Sequence, residues 1–331
     1  MAYISREIVL PQVWDSFVKQ HSPMALFQSW VWGEVVRAEG HSVWRLGWYD
    51  GGILVAVAQV QKVTARRGTF LHVRHGPILS NQKKSLWNIV LSDLEALAKR
   101  EKAWFIRVSP LLGITREHQQ LYKDLGLRNA PIHAMDAELC WVLDLDKSEE
   151  EILAGMRKTT RYEIKRAQKL GVRIVKENNL NEFFELYEKT SDRQGFVRHT
   201  GIREEVKTFG DDAAIFNAIF EKKILASAII LFWGDQAIYH HGASIPSKVS
   251  ASYLVQWEAI REAKKRGKKL YNFWGIAPED NANHPWRGIT LFKKGFGGRE
   301  MEFMHAQDYP VSPLYILPKT IEQIRKRFKG Y

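Results

Sequence analysis

The chain has 331 residues, room for two domains of ordinary size. A 45% hydrophobic content with 12 tryptophans excludes a disordered or collagen-like polypeptide, and a single cysteine, Cys140, excludes an internal disulfide framework. The net charge of +12 and pI near 9.6 fit a polyanionic partner (nucleic acid, anionic lipid or a phosphorylated metabolite) or, more plainly, a basic surface.

The opening MAYISREIVLPQVWDSF carries Glu7 and Asp15 inside any apolar run, so no signal peptide is expected. No window approaches the roughly 18 apolar residues of a membrane span. These features, with the lone cysteine, predict a cytoplasmic protein. Three landmarks then recur in the same order, each pair separated by roughly 170 residues. YDGGILVAVAQV (Tyr49 to Val60) is matched by FEKKILASAIIL (Phe220 to Leu231): an aromatic residue, an acid and two turn-forming or basic residues ahead of an apolar strand. FLHVRHGPI (Phe70 to Ile78) is matched by AIYHHGASI (Ala237 to Ile245), which aligns His75-Gly76 with His241-Gly242. LEALAKREKAWFIRV (Leu94 to Val108) is matched by EAIREAKKRGKKLYNFWG (Glu258 to Gly275). In this third landmark Leu86, Val90, Leu94 and Leu97, and later Tyr253, Trp257 and Ile260, keep helical spacing. A basic stretch closes each helix, and an aromatic-rich strand follows. Each half therefore reads strand, strand, helix, strand. The pattern predicts an α/β chain with a duplicated domain, residues 1–145 and 146–331, the second carrying a C-terminal extension.

Between the copies, Ser148 and Glu151 have capping-box spacing, a bend is expected at Gly155, and Gly171 is a suitable left-handed stop. Arg157, Arg161, Lys165 and Lys169 fall on one helical stripe, either a solvated face or a phosphate-binding surface. A short strand (Val172 to Val175) and a helix (Leu180 to Thr190) precede the loop SDRQGFVRHTG. Its Arg193 and Arg198 are either surface residues or a diphosphate clamp. His72, His75, His240, His241 and His284 could suggest a metal. Adjacent residues on a strand point to opposite faces, however, so His240 and His241 are not expected to share an ion, and neither metal nor cofactor is predicted. Cys140 lacks a partner motif and no G-x-S-x-G occurs, so no covalent nucleophile is expected.

The stretch YNFWGIAPEDNANHPWRGITLFKKGFGGRE (Tyr271 to Glu300) crowds glycines around two lysines and two phenylalanines, an arrangement open to a close backbone approach or to stacking on a base. This HPW…FKKGFGG pattern resembles the Fem family, as do FQSWVWGE (Phe27 to Glu34) and the basic helix TTRYEIKRAQKLGV. The resemblance spans nearly the whole chain. It implies two tandem acetyltransferase-like (GNAT) domains. It also implies transfer of an amino acid from aminoacyl-tRNA to the stem-peptide amine of a UDP-linked or lipid-linked muropeptide, with peripheral contact to an anionic membrane.

By the same resemblance, Lys293 and Phe292 match the family's F-K pair, and Lys294 and Arg299 beside them become candidates for tRNA. Tyr239 lies where a substrate-contacting tyrosine is expected, and Arg193 and Arg198 are candidates for the precursor's phosphates. Two positions depart from the pattern. Val36 stands where the family often has a phosphate-contacting lysine, leaving Arg37 next to it as the candidate, and Ser109 stands where related sequences often carry an acid. The rival readings are an acyl-CoA-dependent N-acyltransferase, for which the complete R/Q-x-x-G-x-G/A pattern is missing, and a non-catalytic RNA-binding protein with IRKRFKGY as a basic arm.

Overall fold

The computed structural model describes residues 3–65, 68–177, 179–195, 198–280 and 284–329, with side chains through 326. Positions 281–283 of the expected polar loop, Phe196 and Val197 of the arginine loop, and the end of the basic C-terminal segment lie outside the described residues. The chain divides into two compact units, Met1–Glu138 with Glu302–Tyr331, and Leu139–Met301. Each is built on one mixed sheet. In chain order the strands are β1 (Ile4–Glu7), β2 (Val43–Asp50), β3 (Ile53–Ala65), β4 (Gly68–His75), β5 (Ile78–Leu79), β6 (Phe105–Pro110) and β7 (Arg128–Asn129). They continue with β8 (Leu139–Asp144), β9 (Arg173–Glu177), β10 (Ala213–Phe220), β11 (Lys223–Trp233), β12 (Gln236–Ser244), β13 (Leu270–Gly275), β14 (Arg299–Glu302) and β15 (Gln307–Pro310).

The first sheet runs β1-β2-β3-β4-β6-β15-β7 and the second β14-β8-β13-β12-β11-β10-β9. The matched landmarks occupy matched places. Antiparallel β2-β3-β4 and β10-β11-β12 are each followed by a parallel neighbour, β6 and β13. The β2–β3 and β10–β11 hairpins both turn in two residues, Gly51-Gly52 and Glu221-Lys222, and all four have positive φ. That is the geometry a tight hairpin requires, retained in the second copy without glycine. A bulge stands at the same distance from each turn, at Trp48/Tyr49 and at Ala218/Ile219.

One helix packs on each sheet through the face its periodicity marked. Lys84–Arg100 buries Leu86, Val90, Leu94 and Leu97 in the core that holds Val60, Leu71 and Ile106. Ala251–Lys265 buries Leu254, Trp257 and Ile260 in the core that holds Ile230, Tyr271 and Phe273. The expected capping box at Ser148 and Glu151 is present. The bend at Gly155 is a full break between helices Glu149–Gly155 and Lys158–Lys169, and Arg161 spans it by donating to the Ala154 and Met156 carbonyls.

FQSWVWGE is a clasp inside the first unit. Buried Gln28 bonds both the N–H and the carbonyl of Gln59, Ser29 caps the helix Trp30–Ala38, and Glu34 accepts from Arg45 at 2.7 Å. Gly33 is required because a Cβ there would collide with Arg45 and Gln59.

The ends of the two copies differ from the sequence expectation. Residues Leu139 to Leu145, read as the close of the first copy, supply β8, which pairs with β13 in the second sheet. Residues 302–331, read as an extension of the second domain, belong with the first unit, where β15 lies between β6 and β7. The physical reason is a buried cation. Arg107 on β6 requires carboxylates, and the returning segment provides Asp308 at 2.7 and 2.9 Å and Glu322 at 2.8 Å, with the Tyr315 hydroxyl also donating to Asp308. No helix among the described residues is long and apolar enough to cross a membrane.

Asp308 is fully buried. Removing its carboxylate strands the Arg107 guanidinium, so Asp308→Ala is expected to lower stability by about 3–5 kcal/mol. Denaturant unfolding checks this, and a change under 1 kcal/mol would be inconsistent with a buried ion pair.

Candidate functional site

The two units differ where their central parallel strands meet. In the first, β4 and β6 stay paired from Phe70↔Phe105 to His75↔Pro110. In the second, β12 and β13 pair only from Gln236↔Leu270 to Ile238↔Asn272. Beyond that point, Tyr239 to Ser244 and Phe273 to Gly275 run on without pairing to each other. A parallel pair that stops early leaves backbone donors and acceptors for other groups to bond.

Opposite this opening, β12 carries a bulge. Ile229 pairs with His241 and Ile230 with Tyr239, so His240 is the extra residue. A bulge breaks the strict alternation of side chains. As a result His240 and His241 both reach Glu205 Oε2, at 3.0 and 2.8 Å, which corrects the expectation that they point apart. Glu205 comes from the helix Ile202–Phe209 and is buried. Burial alone would push its carboxyl up, but the His240 and His241 charges and their hydrogen bonds hold it well below the ordinary carboxylate range. The three ligand atoms lie within 4.8 Å of one another, a His₂–carboxylate donor set of the kind that can hold zinc. The geometric reason for dismissing a metal here is therefore gone. His240 also meets the Trp274 ring edge-on at 5.2 Å, at the end of β13, where Trp274 takes a positive φ of 68°.

Lys293 lies in the same region. HPW leads into the helix Arg287–Lys294, and the Thr290 hydroxyl there accepts from the Ala277 N–H. Lys293 is buried, and its Nζ donates to the Gly275 carbonyl at 2.5 Å and lies 6.0 Å from the Tyr239 ring centroid. Burial lowers its pKa to about 7, opposed only weakly by Cys140. The Cys140 thiol is itself pushed up to about 12 by burial, which agrees with its exclusion as a nucleophile. Tyr239 is likewise pushed up to about 12 by burial, and a Cβ at Gly242 would strike its hydroxyl. That collision accounts for the glycine after the histidine pair.

The other predicted residues are placed differently. Phe292 is half-buried against Tyr253 and Phe296, and Phe296 is core, so only Phe292 keeps any exposed ring. The glycines after it permit close packing: a Cβ at Gly298 would meet the Val142 carbonyl, and one at Gly297 the Gly155 carbonyl. Lys294 pairs with Glu279 at 2.5 Å and lies over the Trp141 ring, and Arg299 pairs with Asp144 at 3.2 Å. Arg193 donates to the Ser244 carbonyl at the end of β12. Arg198 is held by Glu188, Asp192 and Ser191. Arg37, in the first unit, pairs with Glu34 at 3.0 Å. The structure thus brings Lys293 beside Tyr239 and, as a separate group, Glu205 together with His240 and His241, a cluster the sequence reading did not single out. Glu205 is 35 residues from His240, and only the doubled histidine before a glycine hinted at the cluster.

The sequence profile of the FemAB family matches residues 10–129, 122–221 and 215–323. The chain belongs to the FemAB family. Among relatives of this FemAB chain, the lipid II:glycine glycyltransferases of Staphylococcus haemolyticus (strain JCSC1435) and Staphylococcus aureus (strain USA300) are each 22% identical. Each alignment covers 95% of this chain and 94% of the relative. The crystal structure of FemX superposes with a TM-score of 0.84 at 19% identity, covering 98% of this chain and all of that one. A tandem GNAT protein from the clavulanic acid pathway gives 0.59 at 12% identity, covering 94% of this chain and 99% of that one. The fold is therefore two tandem GNAT domains.

Glu205→Ala would leave two buried imidazoles without their shared acceptor. A loss of about 3–5 kcal/mol is expected, read as a lowered midpoint in thermal or denaturant unfolding. An unchanged midpoint would mean that the cluster is not structurally coupled.

Proposed function

We propose that this FemAB protein is an aminoacyltransferase that moves an amino acid from aminoacyl-tRNA to the stem-peptide amine of a peptidoglycan precursor, and that the reaction takes place at the open end of β12 and β13. The observation that carries the reading is Lys293: a buried lysine whose charge is poised near neutrality, bonded to the end of β13, in a chain of this family. The activity for which the relatives are named, glycine transfer on lipid II, favours a lipid-linked acceptor; a UDP-linked one has the same amine. A tRNA donor places the reaction in the cytoplasm.

The donor ester is already activated, so the protein must align an amine with its carbonyl and stabilise the oxyanion. The amine nitrogen attacks, the new C–N bond forms, the C–O bond to the tRNA ribose breaks, and the ribose hydroxyl leaves with a proton. Lys293 contributes positive charge beside the carbonyl oxygen, and backbone N–H groups in the opened pair supply further donors. Phe292 offers its exposed ring edge to the tRNA end, and Tyr239 shapes the floor. Lys294 and Arg299 hold carboxylates in exposed pairs, which cost little to exchange for tRNA phosphates. Arg198 is assigned to the precursor's phosphates on the same ground of exchangeable surface pairing, and Arg193, exposed and bonded to the Ser244 carbonyl, is assigned with it.

Purified protein with a mixed pool of charged tRNAs and a lipid-linked or UDP-linked muropeptide should yield a product heavier by one or more amino-acid residues; no product from any pool would end the proposal.

The Lys293 cation is lost as pH rises through about 7, so turnover should fall on the alkaline side from that point. Lys293→Ala should reduce turnover by about a hundredfold or more. Lys293→Arg, charged throughout, should remove the alkaline limb while keeping part of the rate. A wild-type profile still rising past pH 9, or Lys293→Ala at near-normal rates, would remove Lys293 from the reaction. The same shift affects stability. The unfolded chain holds this proton up to 10.5 and the folded chain releases it near 7, so stability declines as pH falls between those values and is unaffected below.

A further inference from the structure

The C-terminal helix Ile316–Lys329 is turned inside out. An amphipathic helix in water normally puts its apolar stripe on the protein and its charges outward. Here the inward side is polar. Glu322 accepts from Arg107 at 2.8 Å, Lys326 donates to the Ile132 carbonyl at 3.1 Å, and just ahead of the helix the Tyr315 hydroxyl donates to buried Asp308 at 3.0 Å. Among the described side chains, only Tyr315 and Pro318 bring buried bulk to that side. The outward side is aliphatic: Leu314, Ile316, Leu317, Ile321 and Ile324 are 47%, 57%, 50%, 37% and 49% exposed. Leu317, Ile321 and Ile324 keep the i, i+4, i+7 spacing of one helical stripe. The helix is thus anchored by its polar face and presents its apolar face to the surroundings, and contiguous exposed apolar surface of this kind marks an interaction site.

The charge around the stripe identifies the occupant. Lys319 and Arg325 lie on this segment, and its sole acid between residues 313 and 326, Glu322, is turned inward onto Arg107. RNA would use the cations but leave five aliphatic side chains in water. A second copy of this chain would bring like charges onto the same stripe. An anionic bilayer satisfies both features: the aliphatics enter the boundary between headgroups and acyl chains, and the long basic side chains reach the lipid phosphates.

We propose that the helix Ile316–Lys329 docks this protein on an anionic membrane surface, lying in the plane of the interface. Its purpose rests on the reading that the acceptor is lipid-linked; the docking itself does not.

The test uses the full chain and vesicles of phosphatidylglycerol with phosphatidylcholine, compared with pure phosphatidylcholine, in flotation at low and high salt. Wild-type protein should float with the anionic vesicles and less so at high salt. Leu317→Ser with Ile324→Ser, and separately Lys319→Glu with Arg325→Glu, should each weaken partition by about tenfold or more. All four residues are at least partly exposed, so circular dichroism and the unfolding midpoint should stay unchanged. The serine pair should also slow transfer to a lipid-linked acceptor in anionic vesicles while leaving transfer to a UDP-linked muropeptide at the wild-type rate. Wild-type protein that floats with neither vesicle overturns the proposal, as does a serine pair that floats like wild type. Loss of self-association or of RNA binding in the serine pair, with flotation intact, overturns it in favour of those partners. Vesicle binding is read without substrates, so a protein that docks but transfers nothing contradicts the proposed reaction alone, and one that transfers but does not dock contradicts this inference alone.

Discussion

The opening of the β12–β13 pair after three residues is the constraint from which the site follows. Backbone groups in a sheet interior must be bonded to something, and a strand that leaves its neighbour transfers that requirement to side chains or to a ligand. Lys293 meets part of it by donating to the Gly275 carbonyl. Burial in that position lowers the lysine's affinity for its proton, which gives it a switchable charge near neutral pH. The bulge at His240 acts on the other strand: one extra residue turns two neighbouring imidazoles onto one carboxylate and ties β12 to the helix Ile202–Phe209.

The contrast with the first unit is informative because the two copies are otherwise so alike. Hairpin length, bulge position and strand order agree. The first copy nevertheless keeps β4 and β6 paired to the end, and its own histidine cluster is closed around Asp136, held down at about 2 by Arg74 and His72 against the effect of burial. Duplication thus produced one sealed sheet and one open sheet, and the candidate chemistry lies with the open one.

Much of this was legible in the sequence because it is local. Apolar spacing at Leu86 to Leu97 and a two-residue turn after an aromatic strand are encoded within a few residues of where they act. The Fem resemblance singled out Lys293 and Tyr239, which the fold places 6.0 Å apart. What escaped depends on pairing at a distance. Strict alternation predicts that His240 and His241 diverge, and a single register shift against β11 reverses that. Glu205 carries no motif and becomes significant only when its helix packs on β12. The short polar QDYP of β15 reads as a tail, yet Asp308 returns it to the first sheet by bonding Arg107, 201 residues away. Part of the glycine-rich FGG that suggested ligand contact is spent on packing against Val142 and Gly155.

The central claim is that acyl transfer occurs where β12 and β13 separate. A crystal structure with a non-hydrolysable aminoacyl-adenosine analogue of the tRNA end tests it most directly. The account predicts the analogue between Tyr239 and Gly275, its carbonyl oxygen within hydrogen-bonding distance of Lys293 Nζ or a freed backbone N–H. An analogue bound in the first unit, or on any surface remote from Lys293 while the strand opening holds only water, would contradict it.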